Sequence, residues 1–163
     1  MMPSSRKQPV RKQSVHKLLS HCYSQSPEPS FGQQSPNQPL GKVLILEHDA
    51  SNRILFADYL EQCGYSVSPL ADEQQIFQRL ADYQPDVLIL NLKMPVMDGY
   101  SVIEQLRSNE TWKHLAILVV SGYSLATAKQ RAYRLGANAY LTKPIFPAEL
   151  STTVAALIDS AAV

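Results

Sequence analysis

From residue 42 onward the chain alternates between short unbroken apolar runs and longer stretches whose apolar positions recur at helical spacing. The runs are "KVLILE" at 42–47, "YSVSPL" at 65–70, "DVLILN" at 86–91, "LAILVV" at 115–120 and "AYLTK" at 139–143. An unbroken apolar run is the mark of a strand covered on both faces. Between the runs, the pattern predicts helices over 51–63, 71–83, 100–108, 125–135 and 147–161. The first of these offers Ile54, Leu55, Ala57, Tyr59 and Leu60 as packing residues. Gly64 and Gly136 stand where a left-handed cap ends a helix. The helix over 71–83 has acids in its first turn, which suits its dipole.

Five strands alternating with five helices predict a doubly wound parallel sheet with helices on both faces. The central pair are 43–46 and 87–90, expected to be buried. In such a sheet, chemistry sits beyond the carboxyl ends of the strands. The positions to read are therefore Glu47, His48 and Asp49, then Asn91, then Ser121 and Gly122, then Lys143 and Pro144.

Residues 1–41 read differently. They are rich in Ser, Gln and Pro, and "SPEPSFGQQSPNQPLG" has the composition of a linker. Such a segment buries too little apolar surface to offset the entropy of ordering, so a disordered tail is expected. Only residues 14–23, "SVHKLLSHCY", place apolar residues near helical spacing, and that stretch is short for an isolated helix. The expected division is a basic tail over 1–41 and one domain over 42–163.

Charge sharpens this division. The tail holds five bases and one acid, the domain ten bases and thirteen acids, so an overall +1 separates into +4 and −3. A basic tail raises the question of a nucleic-acid or membrane tether. Five bases spread over a Ser- and Gln-rich segment without interleaved aromatics argue against one. Cys22 and Cys63 are far apart and no metal-binding spacing occurs, which fits a reduced, cytoplasmic protein. No apolar run approaches a membrane span, and the N-terminus has no secretory apolar core; its Arg- and Ser-bearing start fits a transit peptide only loosely.

Four segments, "VLILEHDASNR", "LILNLKMPVMDGY", "LVVSGY" and "GANAYLTKPIFPAEL", occur in order and at normal spacing. Together they resemble the receiver domain of two-component response regulators, across essentially all of 42–163, and the resemblance implies a flavodoxin-like sheet in order 2-1-3-4-5. The resemblance implies an acidic pair after the first strand that holds Mg²⁺ with an Asp after the third. That Asp accepts a phosphoryl group from a histidine kinase. A hydroxyl after the fourth strand and a Lys after the fifth contact the phosphoryl oxygens, and an aromatic in the fifth strand reports the switch. By motif, Glu47 and His48 stand for the acidic pair and Asn91 for the acceptor. Ser121 stands for the hydroxyl, Lys143, before a family cis-proline position, for the Lys, and Tyr140 for the aromatic.

Two positions break the family pattern. Asn91 presents a neutral amide oxygen that cannot form an acyl phosphate. His48 withholds an oxygen that a hard cation wants, leaving Glu47 as the one acid of the usual three. Mg²⁺ binding is expected to be weak or absent, and no cofactor or metal is assigned. The Asn91 amide is expected to bond Lys143 or Ser121, and Lys143 to neutralise Glu47 and Asp49. A transition metal on His48, Glu47 and Asp49 is disfavoured, since adjacent residues rarely converge on one ion. Ser121 as a loop-satisfying hydroxyl and Tyr140 as a packing aromatic are the plainer readings of those two.

The expected function is a non-phosphorylatable receiver: a protein-interaction module of a two-component-type pathway, not an enzyme. Its expected partner is a signalling protein, a histidine kinase or an output protein. The expected surface is the face made by 123–135, including Tyr123, with Tyr140 and 147–158. With nothing following Val163, output is expected to pass through binding; a homodimer is compatible with this. The alternative is an atypical phosphorylation-dependent regulator, and Asn91 argues against it.

Overall fold

The apolar runs become strands because β-branched and leucine side chains fill both faces of a pleated backbone. The computed structural model describes residues 38–161; the expectations for 1–37 of the tail, including the helical patch at 14–23, lie outside the described residues. The strands are β1 (Lys42–Leu46), β2 (Ser66–Leu70), β3 (Val87–Leu90), β4 (Ala116–Ser121) and β5 (Ala139–Thr142). The helices are α1 (Ala50–Gln62), α2 (Ile76–Tyr83), α3 (Gly99–Ser108), α4 (Ala126–Leu135) and α5 (Pro147–Ala161). All strand pairs are parallel and the sheet order is β2-β1-β3-β4-β5, the expected winding.

Alternation along each strand divides the core in two. Leu44, Leu46, Leu88, Leu90, Ile117 and Val119 face α2, α3 and α4, where Ile76, Leu80, Ile103 and Leu106 meet them. Val43, Ile45, Val87, Ile89, Leu118 and Val120 face α1 and α5, through Phe56, Leu60, Val154 and Leu157. Residues 43–46 and 87–90 are at most 1% exposed. Each such side chain contributes roughly 1.5–3 kcal/mol of transfer free energy, so the two central strands form a rigid base for whatever follows them.

The helix ends are chemically specified. Asp49 caps α1 by accepting from the Asn52 N–H at 2.8 Å, and Asp98 caps α3 by accepting from the Tyr100 N–H at 3.0 Å. Gly136 ends α4 at φ 109°, a left-handed conformation that favours glycine.

Three expectations about the helices need correction. In α1, Ile54 and Leu55 are exposed and Phe56 is buried beside Ala57 and Leu60. That helix carries apolar residues on two faces, so spacing alone does not identify the inward one. Residues 71–83 are not one helix: a 3₁₀ turn, Glu73–Gln75, leads into α2. Glu73 is not a solvated first-turn acid either. It is buried and accepts from the Val96 and Met97 N–H groups at 2.6 and 3.1 Å, tying the β3–α3 loop to the 3₁₀ turn before α2.

Candidate functional site

Register assembles the site. Leu46 pairs with Leu90, so the next residues, Glu47 and Asn91, meet side by side at the carboxyl end of the two central strands. The Asn91 N–H donates to the Leu46 carbonyl at 3.0 Å, which continues the ladder one step. Ser121 pairs with Thr142, and Lys143 follows, its N–H on the Ser121 carbonyl at 2.9 Å. The Lys143–Pro144 peptide is cis.

Glu47 is the centre of the arrangement and is 2% exposed. Its Oε1 accepts from the Asn91 side-chain amide at 2.8 Å and from the Asp49 N–H at 3.0 Å. Its Oε2 is held by the Lys143 ammonium. Both carboxylate oxygens are therefore committed to protein donors. Asn91 is also buried, and its amide gives its second proton to the Lys93 carbonyl at 3.1 Å while its Oδ1 accepts from the Lys93 N–H at 3.3 Å. The amide thus bridges the buried acid to the start of the β3–α3 loop. A carboxylate at position 91 has no proton for either bond.

This geometry corrects the expected pairing. Asn91 bonds neither Lys143 nor Ser121; its partners are Glu47 and Lys93. Lys143 pairs with Glu47 and not with Asp49, whose carboxylate caps α1. Alternation explains why Ser121 stands apart: along β4 it falls in line with Ile117 and Val119, on the α4 side of the sheet. There its Oγ accepts from the Tyr123 N–H at 3.2 Å. Tyr140 lies on the same side, is 8% exposed, and donates its hydroxyl to the Tyr123 carbonyl at 2.7 Å. Burial pushes the Tyr140 phenol above its ordinary range, against a lowering by the Ser121 hydroxyl, so it stays a donor. Ser121 and Tyr140 together grip both backbone groups of Tyr123.

His48 sits at the rim with its side chain 48% exposed, its Nδ1 3.9 Å from Glu47 Oε1. Arg53, a residue the sequence reading did not single out, donates to the Glu47 and His48 carbonyls at 2.8 and 3.0 Å and fixes the β1–α1 loop. Glu73 went unrecognised as well; no local signal distinguishes an acid that will bind a loop 23 residues away from one that faces water.

A magnesium ion needs an octahedron of oxygens, with carboxylates to balance its charge. The residues here do not fit it. One carboxylate is present, both of its oxygens are engaged, and Lys143 already neutralises it. His48 would offer nitrogen, and the Asn91 oxygen accepts from Lys93. Among the described residues no group of three or more His, Cys, Asp or Glu side chains is placed to hold a metal. No helix among them is long and apolar enough to cross a membrane.

Comparison with known proteins gives a consistent set of relatives. Residues 43–155 match the model of the response regulator receiver domain. The chain is 33% identical over 113 residues to Protein RcaC of Microchaete diplosiphon, covering 69% of this chain and 17% of RcaC. It is 30% identical over 117 residues to the probable transcriptional regulator ycf27 of Guillardia theta, covering 72% of this chain and 45% of ycf27. The chain thus spans less than half the length of these two relatives. Among solved structures, a response regulator described as putative from Chloroflexus aurantiacus superposes with a TM-score of 0.71 at 30% identity, over 75% of this chain and 99% of that one.

Proposed function

The chain belongs to the response regulator receiver domain family, and we propose that within it this protein is a receiver that takes no phosphoryl group at its acceptor position. It then serves as a protein-interaction module of a two-component-type pathway, without enzymatic activity. Its division into a basic tail over 1–41 and a receiver over 42–163 is part of the same proposal. The partner is a signalling protein, either a histidine kinase or an output protein, met on the face formed by α4, β5 and α5. Tyr123 and Tyr140 belong to that face.

One observation carries the reading. The Asn91 amide spends both protons on protein acceptors, one of them the buried Glu47 carboxylate that Lys143 also holds. An acceptor must be an anionic oxygen with an open approach, next to a divalent cation that shields the incoming charge. Position 91 has a neutral amide, and the acid beside it is sealed by internal donors. The arrangement supports a static scaffold in place of a switch.

The test restores what is missing. Wild type, Asn91→Asp and the double variant His48→Asp with Asn91→Asp are incubated with phosphoramidate and Mg²⁺, and intact masses are read. The double variant should gain an acyl phosphate and the single variant little, because His48 still withholds a metal oxygen. A double variant that stays inert while folded and metal-bound would refute the claim that these two residues silence the site.

A further inference from the structure

Helix α4 leaves almost its whole surface to solvent, and its charge is one-sided. Of Ala126–Leu135 only Ala132 is buried. The helix carries Lys129, Arg131 and Arg134 and no acid, within a segment, 42–163, whose net charge is −3. Among the described residues none of the three forms an ion pair. Lys129 lies over the Tyr140 ring at 5.6 Å and Arg131 over the Tyr100 ring at 4.1 Å. A ring face attracts a cation without cancelling its charge, so all three remain electrostatically open to an incoming anion. Apolar surface adjoins them: Tyr133 is 48% exposed, Tyr123 46% and Leu125 71%. The loop bearing Tyr123 is already held at that residue by Ser121 and Tyr140, so docking there costs little ordering entropy.

We propose that α4 and the loop before it bind an acidic peptide segment of a partner protein, one with clustered carboxylates and an aliphatic or aromatic anchor. The proposal rests on the interaction-module reading and gives the partner its chemistry. Lys129 and Tyr133 are neighbours four apart on the helix, and Arg131 and Arg134 neighbours three apart. Arg131 and Arg134 lie about 4.5 Å apart along the axis, a spacing that two adjacent acidic residues cover, with Lys129 on the flank beside Tyr140. Carboxylates would pair with the guanidinium groups, and the anchor would lie against Leu125 and Tyr133.

A second copy of the chain fits less well. The acids of α5 are Glu149 and Asp159, ten residues and thus roughly 15 Å apart along the helix, so a contact of α4 with the α5 of a second copy offers a single acid to the cluster. A nucleic acid fits less well again: three cations on a domain of net charge −3 oppose a polyanion.

The test uses the full chain, isotopically labelled, and two synthetic peptides of roughly twelve residues, long enough to span a helical groove. One is built from Asp, Glu, Leu and Phe; in the other Gln replaces every acid. An oligothymidylate of similar length serves as the polyanion. Amide shifts should move at 123–135 and Tyr140 with the acidic peptide alone and weaken with added salt. Arg134→Glu, at an exposed residue without a side-chain partner among the described residues, should weaken binding roughly three- to tenfold, and Tyr133→Ala comparably. The proposal is overturned if α4 shows no shifts at about 1 mM peptide, or if the shifts map elsewhere or ignore Arg134→Glu. Tighter binding of the oligothymidylate, or a dimer that buries α4 in sedimentation, also overturns it. A failure of the inert-site reading would show in the phosphodonor masses and leave these shifts unchanged, so the two are separable.

Discussion

Replacing Asn91 by Asp tests directly whether the amide is a structural part of the site. The side-chain nitrogen of Asn91 lies 2.8 Å from Glu47 Oε1, and both residues are buried. In Asn91→Asp a carboxylate oxygen takes that place. Two unit charges at this distance repel by about 6 kcal/mol at an effective dielectric of about 20, and by about 4 kcal/mol if the pair relaxes to about 4 Å. The Lys93 carbonyl loses its side-chain donor, worth about 1 kcal/mol. Lys143, already on Glu47, can be shared and offsets part of the repulsion. The net expectation is a loss of about 2–4 kcal/mol at pH 7 without divalent cations. The sign with pH follows from linkage. Repulsion holds the new carboxyl above the ordinary aspartate range, so the folded variant binds its proton more tightly than the unfolded chain. The penalty is full above that raised pKa and fades as pH falls toward the unfolded value. Urea unfolding of wild type and variant at pH 7 and near pH 4 reads both effects. A variant as stable as wild type at pH 7 without metal, or a penalty that grows on acidification, would refute this account.

Added Mg²⁺ at low millimolar concentration should leave the wild-type melting temperature almost unchanged, since a ligand stabilises only when its concentration exceeds Kd; a clear rise contradicts the fit argument. Gly99→Ala should destabilise by about 1–3 kcal/mol in urea unfolding, because an added Cβ would lie 2.6 Å from the Asn91 carbonyl oxygen and 2.7 Å from Leu92 Cα. Burial raises the pKa of Glu73, but backbone N–H groups, its own first and then those of Val96 and Met97, together outweigh it and hold the carboxyl below its ordinary range. Its stabilisation is therefore present above the unfolded glutamate pKa and lost as pH falls through the lowered folded value; Glu73→Gln should be less stable at pH 7 and flatter in acid, as followed by denaturation at several pH values.

The fold was legible because the two central strands are apolar throughout 43–46 and 87–90 and could only be buried there. The strand ends were legible for the same reason: once Leu46 and Leu90 are buried, Glu47 and Asn91 follow at the carboxyl ends of the two central strands. What those side chains bond was not legible. The Glu47–Lys143 pair joins residues 96 apart, and Asn91–Glu47 joins residues 44 apart. Such pairings depend on strand order and on which side of the sheet a residue faces, and the expected Asn91–Ser121 contact fails on that second point. Phe56 and Glu73 were missed because composition does not reveal burial: α1 has apolar residues on two faces, and a buried acid looks like a solvated one until a loop's N–H groups are seen to need it.

The central claim is that position 91 accepts no phosphoryl group, and the mass of the wild-type protein after treatment with acetyl phosphate or phosphoramidate in Mg²⁺ tests it most directly. The account predicts no phosphoryl mass increment that is removed by hydroxylamine, since an amide forms no acyl phosphate. A hydroxylamine-labile increment mapped to position 91 or its contacts would contradict it.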